Sequence, residues 1–239
     1  KIMKKSLALL ALTSSLFAAN NDEIINFFKK NPNLNDAKIT IVEREKIQNS
    51  DFEAVIVNFE IAGKNLQEIV FTQGNFITTE LVDIKKGEFY SQVFQAKLME
   101  KQQAEFSKKA LVELKKEKMF VSLGDKNKPL LYVFSDPECP YCRIHLDKIE
   151  DTLKTHQVKF ILTPIHDTSA FEKSALIYKE SKDAKDDAQK IAIMRKYYDK
   201  DIKDYKKPSQ AEVKAVRDNF EKYSKLGLRA VPTIIDAQK

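Results

Sequence analysis

Leu130-Leu131-Tyr132-Val133-Phe134-Ser135-Asp136-Pro137-Glu138-Cys139-Pro140-Tyr141-Cys142 decides how the rest of this chain is read. An apolar, β-favouring run ends in a turn, and a C-x-x-C pair follows at what reads as the first turn of a helix. The only two cysteines in 239 residues stand three positions apart. A helix starting there places Cys139 at its N-terminus. Unpaired backbone N–H groups and the macrodipole at that end favour a thiolate, the reactive form of cysteine. Cys142 then lies one turn inward, near enough to close a small disulfide. Pro140, with φ preset and no N–H to lose, suits an early helix position. The pattern reads as a dithiol/disulfide redox centre.

Two plainer readings compete and fall short. Two cysteines cannot complete a four-ligand zinc site, and His145, His156 and His166 show no ligand-pair spacing, so no metal is expected. A structural disulfide usually joins distant segments, because closing a longer loop constrains the unfolded chain more. A bridge over two residues does little of that. No cofactor is expected either.

The composition, 43% apolar over 239 residues, supports one large or two ordinary domains with a real core. Acids and bases alternate, as in Lys182-Asp183-Ala184-Lys185-Asp186-Asp187, and the net charge is a modest +6. Such mixing reads as solvated helix faces, not as a phosphate-binding stripe, so nucleic acid is not an expected partner. Lys1, Lys4 and Lys5 precede an apolar run from Leu7 to Phe17, then Ala18-Ala19 and a polar stretch. That is the pattern of a secretory signal over residues 1–18, too short to span a bilayer comfortably. The mature protein is expected to be exported and soluble, in a compartment where disulfides persist.

Residues 19–88 read as a small α+β domain without catalytic-looking residues. Asn21 or Asp22 is expected to cap a helix from Glu23 to Lys30, and β-type runs follow at 39–42, 52–61 and 69–71. A turn at Gln73-Gly74-Asn75 leads to 76–79 as a hairpin. A β-rich unit this small has a marginal core and a sheet edge that favours self-association. Residues 89–118 hold no Gly or Pro. Tyr90, Phe94, Leu98, Phe106, Ala110 and Leu114 fall there on one i+4 series interrupted by Gln102, which predicts a long connecting helix with a polar waist.

From Met119 to Lys239 the expected order is strand, motif, helix, strand, helices, strand. Leu130 to Phe134 reads as a central strand buried on both faces. The helix after the motif carries Ile144, Leu146, Ile149 and Leu153. Residues 158–162 form the next strand, and 168–207 a helical insert with Phe171, Ala175, Leu176, Ile177, Ile191, Ile193 and Met194 as core candidates. Ser209 and Glu212 make a capping box. Val231-Pro232-Thr233 opens the last strand, where a missing N–H is tolerable. The three histidines read as exposed surface residues, Tyr132 and Phe171 as core, and Tyr141 as a candidate substrate contact.

C-P-Y-C after a buried strand, with Val231-Pro232-Thr233 some 90 residues on, resembles a thioredoxin-fold oxidoreductase. The signal, small N-terminal domain, long helix and F-S-D-P-E-C-P-Y-C motif resemble, more narrowly, the thiol:disulfide interchange proteins of the DsbC/DsbG family. Phe71-Thr72-Gln73-Gly74-Asn75-Phe76-Ile77 and Val82-Asp83-Ile84 are similar to the end of that family's dimerisation domain. The resemblance implies a C-terminal thioredoxin fold with a helical insert, and a V-shaped periplasmic homodimer joined through its N-terminal domains. It assigns the nucleophile to Cys139, the resolving thiol to Cys142 and a cis-proline to Pro232, with Val231, Pro140 and Tyr141 as active-site support. It implies as partners misfolded or wrongly disulfide-bonded exported proteins, and a membrane redox protein that reduces or reoxidises the dithiol. Three departures stand out. Val231 is more typical of the oxidase branch, no cysteine remains for a second disulfide, and the fold's usual further strand and helix are expected beyond Lys239. The expected activity is disulfide isomerase or reductase. A dithiol oxidase, a chaperone-like binder of unfolded chains and a glutaredoxin-like reductase are the alternatives.

Overall fold

A computed structural model describes residues 19–238, and the expected signal segment, 1–18, lies outside the described residues. The chain divides into two compact units between Glu100 and Lys101.

In the first unit, helix α1 (Asn21–Lys29) is capped by Asn20, not by Asn21 or Asp22 as expected. The reason is reciprocal bonding: the Asn20 side chain accepts from Glu23 N at 3.0 Å, and Glu23 accepts from Asn20 N at 2.7 Å. Four antiparallel strands follow in the order β1 (Lys38–Lys46), β2 (Glu53–Ile61), β3 (Lys64–Gln73) and β4 (Phe76–Thr78). β1 and β3 outrun the apolar cores from which they were read, because an antiparallel ladder pairs polar residues as readily as apolar ones. The β3–β4 hairpin turns at Gly74, whose φ of 53° lies in the left-handed region where a side chain is disfavoured.

Successive β2 side chains serve opposite faces of this sheet. Val55, Val57 and Phe59 pack with Ile24 of α1, while Ala54 and Ile56 pack with Phe94 and Leu98 of helix α2 (Tyr90–Leu114). A two-stranded ribbon, β5 (Val82–Asp83) with β6 (Glu88–Phe89), precedes α2 and is too short to leave a periodic signal. The apolar series of α2 is divided at Gln102. Phe94 and Leu98 belong to the core of the first unit, and Phe106, Ala110 and Leu114 to the core of the second.

The second unit is built on a mixed sheet in the order β10-β8-β9-β7, from β7 (Val121–Leu123), β8 (Leu130–Ser135), β9 (Gln157–Leu162) and β10 (Thr233–Asp236). β8 runs parallel to β9 and antiparallel to β10, so the motif strand is central, in keeping with its unbroken apolar run. β7, an edge of three residues, was not readable from sequence. The helix after the motif breaks at Lys148 into α3 (Pro140–Asp147) and α4 (Ile149–Leu153). Leu146 and Ile149 are buried there, but Ile144 is 54% exposed and does not belong to the core.

The insert is two helices, α5 (Thr168–Lys182) and α6 (Asp187–Tyr198); α7 (Gln210–Leu226) follows, with the expected Ser209–Glu212 capping box. Phe171, Ala175, Leu176, Ile177, Ile191 and Met194 are buried as expected, as is Tyr132, and Ile193 is partly buried. The architecture is the expected mixed α/β: a helix-rich mixed sheet after a small antiparallel α+β unit. Among the described residues, no helix is long and apolar enough to cross a membrane.

Candidate active site

β8 ends at Ser135, and the chain turns through Asp136-Pro137-Glu138 into α3, which has Cys139 as its N-cap and Pro140 at its first turn. The turn is held by one side chain. Asp136 is fully buried, and its Oδ1 accepts from Glu138 N at 2.8 Å. Its Oδ2 accepts from Ile165 N at 2.8 Å, from His166 N at 3.2 Å and from His166 Nδ1 at 2.7 Å. A carboxylate only accepts, so Nδ1 of His166 carries the proton. The Asp136 backbone serves the same turn: its carbonyl accepts from Cys139 N at 3.2 Å, and its N–H donates to Cys142 Sγ at 3.4 Å. Glu138, beside the first cysteine, pairs at 3.0 Å with Lys173 of α5, whose side chain is only 6% exposed.

Both cysteines are buried free thiols, and their surroundings differ. Cys139 Sγ lies 3.5 Å from the carbonyl oxygen of Val231, where the segment leading into β10 passes the helix start. The Val231–Pro232 peptide bond is cis. Cys142 sits one turn deeper, and burial pushes its thiol up to about 12, against the opposing pull of the Ser135 hydroxyl and Asp136 N–H. Ser135 in turn accepts from the Tyr198 hydroxyl at 2.7 Å, and both residues are fully enclosed. Arg143, next in α3 after Cys142, donates from Nε to the Tyr198 carbonyl at 2.6 Å.

The structure therefore brings Cys139, Pro140 and Cys142 together with Val231. Pro232 is half-buried in the segment that faces Cys139. Tyr141 points outward, 72% exposed, and with Ile144 and Ile165 it leaves apolar surface on and near the motif helix. Two of the histidines depart from the expectation of exposed surface residues. His145 is half-buried against the Phe160 ring at 6.0 Å, and burial lowers its pKa. His156 is half-buried too, with its Nδ1 2.8 Å from the neighbouring Thr155 hydroxyl. His166 is exposed as expected, but its ring is tied to Asp136.

Sequence reading missed Ser135, Asp136, Glu138, His166, Lys173 and Tyr198 as parts of the site. Asp136 had a signal: Asp at the end of an apolar run and before a proline suits an Asx turn onto the N–H two residues on. The others are joined across sequence separations of 30 to 63 positions, where no local pattern operates.

Residues 116–238 match the family described as a thioredoxin-like domain. No curated protein matches the sequence. Among solved structures, Helicobacter pylori DsbG is similar at 22% identity, over 90% of this chain and 99% of that one, with a TM-score of 0.49. A linker-deleted variant of Proteus mirabilis ScsC is similar at 20% identity, over 61% of this chain and 78% of that one, with a TM-score of 0.48. BdbD of Bacillus subtilis, in its oxidised form, has 16% identity over 50% of this chain and 82% of that one, with a TM-score of 0.37.

Proposed function

The chain belongs to the thioredoxin-like domain family, and from that premise we propose that it is an exported thiol–disulfide oxidoreductase acting as a disulfide isomerase or reductase. One observation carries the reading: two thiols one turn apart at a helix start, the first beside the Val231 carbonyl and the second enclosed beneath it. Cys139 is the nucleophile and Cys142 the resolving thiol, with Pro140, Tyr141, Val231 and Pro232 as support.

The chemistry follows from thiol exchange. The Cys139 thiolate attacks one sulfur of a substrate disulfide, a Cys139–substrate bond forms, and the other substrate sulfur leaves as a thiolate that takes up a proton. A substrate thiolate can then attack the mixed disulfide, returning the dithiol enzyme and a rearranged substrate. Alternatively Cys142 attacks Cys139 Sγ, leaving the enzyme oxidised and the substrate reduced by two electrons. Exposed Tyr141, Ile144 and Ile165 offer apolar contact to unfolded exported chains, the proposed substrates.

The remaining parts follow the DsbC/DsbG resemblance. Residues 19–88 act as a dimerisation domain, 89–118 as the connecting helix and 119–239 as the catalytic domain of a periplasmic homodimer served by a membrane redox partner. Exposed Val42 on the edge strand β1, with exposed Leu66 and Phe76, favours self-association. Reactivation of a scrambled, disulfide-bonded protein tests the reading. Cys139→Ser should abolish it, and Cys142→Ser should keep isomerisation while accumulating mixed disulfides; activity in Cys139→Ser equal to wild type would refute it. Val231 favours a second reading, the oxidase, which predicts a predominantly oxidised dithiol at steady state where an isomerase stays reduced.

A further inference from the structure

We propose that Lys173 is a positioning residue for the first exchange step: it holds the Glu138 carboxylate against α5 and cancels its charge, so that no uncompensated anion stands beside Cys139 when its sulfur is a thiolate. The inference rests on the dithiol-exchange reading above, in which Cys139 is the attacking thiol.

Glu138 is the residue directly before Cys139. Their Cα atoms are about 3.8 Å apart across one peptide, so in any pair of rotamers the carboxylate stays within roughly 12 Å of the sulfur. Two anions at that range repel, and the repulsion disfavours the thiolate that does the chemistry. Water screens the interaction poorly here, because Cys139 is buried and the Glu138 side chain is only 22% exposed.

The compensating charge comes from outside the motif. Glu138 N donates to Asp136 Oδ1 at 2.8 Å, which fixes the backbone of the turn, and the Glu138 side chain runs to Lys173 Nζ at 3.0 Å. The Lys173 side chain is 6% exposed, whereas Lys190 and Lys222, in ion pairs elsewhere in this unit, keep 25% and 38%. Enclosing an ammonium that far is costly without an anion beside it, and a pair so enclosed escapes the screening that makes most surface pairs worth little. The other charged or titratable groups around Cys139 are Cys142 on its own helix and Asp136 with His166, bonded to each other at 2.7 Å. Arg143 is turned to the Tyr198 carbonyl, and the segment entering β10 presents the Val231 carbonyl. Lys173 acts on the reacting sulfur only through Glu138, so its effect has to vanish when Glu138 loses its charge. The step itself is unchanged: the Cys139–substrate bond forms as the substrate disulfide breaks, and the departing sulfur leaves as a thiolate that takes up a proton.

Reduced full-length protein is alkylated with iodoacetamide across a pH series, and labelling of Cys139 is followed by peptide mass spectrometry. Lys173→Met keeps the enclosed stem and leaves the carboxylate bare. Labelling in that variant at a pH below the midpoint should slow by about 3- to 10-fold, and the pH at half-maximal rate should move upward. Adding Glu138→Gln removes the charge and should return the midpoint to the wild-type value. The ion pair is absent from both variants, so a merely structural role predicts one profile for the two. Lost hold on the turn lowers the plateau rate at high pH in both and leaves the midpoint in place. Lys173→Arg, which keeps the cation, should keep the wild-type midpoint, and Glu138→Gln alone should not raise it; these two variants decide the matter if Lys173→Met does not fold. A midpoint unmoved in folded Lys173→Met, one not restored by Glu138→Gln, or one raised by Glu138→Gln alone would overturn the proposal. Wild-type protein in which Cys139 is labelled no faster than Cys142 would instead refute the nucleophile assignment itself.

Discussion

Replacing Asp136 by alanine tests whether one buried carboxylate holds the active-site turn. The substitution strips the acceptor from three backbone N–H groups, of Glu138, Ile165 and His166, and from His166 Nδ1. Each buried donor left without a partner costs about 1–3 kcal/mol. These donors are only partly enclosed and the His166 side chain is 41% exposed, so water recovers some of that cost and the low end applies to each. Removing the carboxylate also relieves its own desolvation, which offsets part of the loss. The net expectation is destabilisation by about 2–4 kcal/mol for Asp136→Ala and about half that for Asp136→Asn, which keeps one oxygen. Urea unfolding followed by circular dichroism measures the change. Because the same turn places Cys139 against Val231, the rate of mixed-disulfide formation should fall even well below the melting temperature. A loss under about 1 kcal/mol with wild-type exchange kinetics would show that the turn holds itself and that Asp136 is incidental.

Other expectations follow from the same packing. In Cys139→Ser, the remaining Cys142 thiol, which burial pushes up, should react with iodoacetamide much more slowly than free cysteine at pH 7.5. Cys139 in Cys142→Ser should react faster than that, and equal rates would refute the assigned roles. Burial holds His145 below its ordinary pKa, so an unfolded chain takes up a proton there that the folded chain does not. Stability should therefore fall as pH drops below about 6.5, and His145→Gln should weaken that dependence; urea midpoints at pH 7.5 and 5.5 decide it. The mature protein should sediment as a dimer. A fragment beginning at Lys101, which keeps the buried Phe106, Ala110 and Leu114, should be monomeric and lose most isomerase activity while still passing electrons.

What sequence made legible is what short-range physics governs. β8 showed itself as an unbroken apolar run, α2 by its i+4 series, α7 by the Ser209–Glu212 box and the thiol pair by its spacing. The α1 cap was displaced by one residue, because Asn20, Asn21 and Asp22 are all competent caps and only the position of Glu23 selects among them. Ile144 carries an apolar side chain on the solvent side of a helix whose break at Lys148 no glycine or proline announces. The short strands β5, β6 and β7 had too few residues to show a period. Within the site, the Cys139/Cys142 pair was legible from its spacing, and Val231 only through the family resemblance. Lys173, His166 and Tyr198 were not, because each is an ordinary loop or helix residue until the fold delivers it.

Those illegible residues share an origin. His166 lies in the loop entering α5, Lys173 and Tyr178 lie on α5, and Tyr198 ends α6. Each reaches the end of a central strand or the turn after it. His166 binds Asp136, Lys173 binds Glu138, Tyr178 Oη accepts from Leu162 N at 2.6 Å, and Tyr198 binds Ser135. The helical insert is thus the wall against which the motif is set. Its contacts to Asp136 and Glu138 hold the turn that carries both thiols, because the Asp136 carbonyl accepts from Cys139 N and the Asp136 N–H donates to Cys142 Sγ. Its contact to Ser135 holds the end of the strand from which that turn starts. Changes in α5 or at the end of α6 should therefore disturb the placement of both cysteines together, and a variant there that altered the reactivity of only one would refute this account.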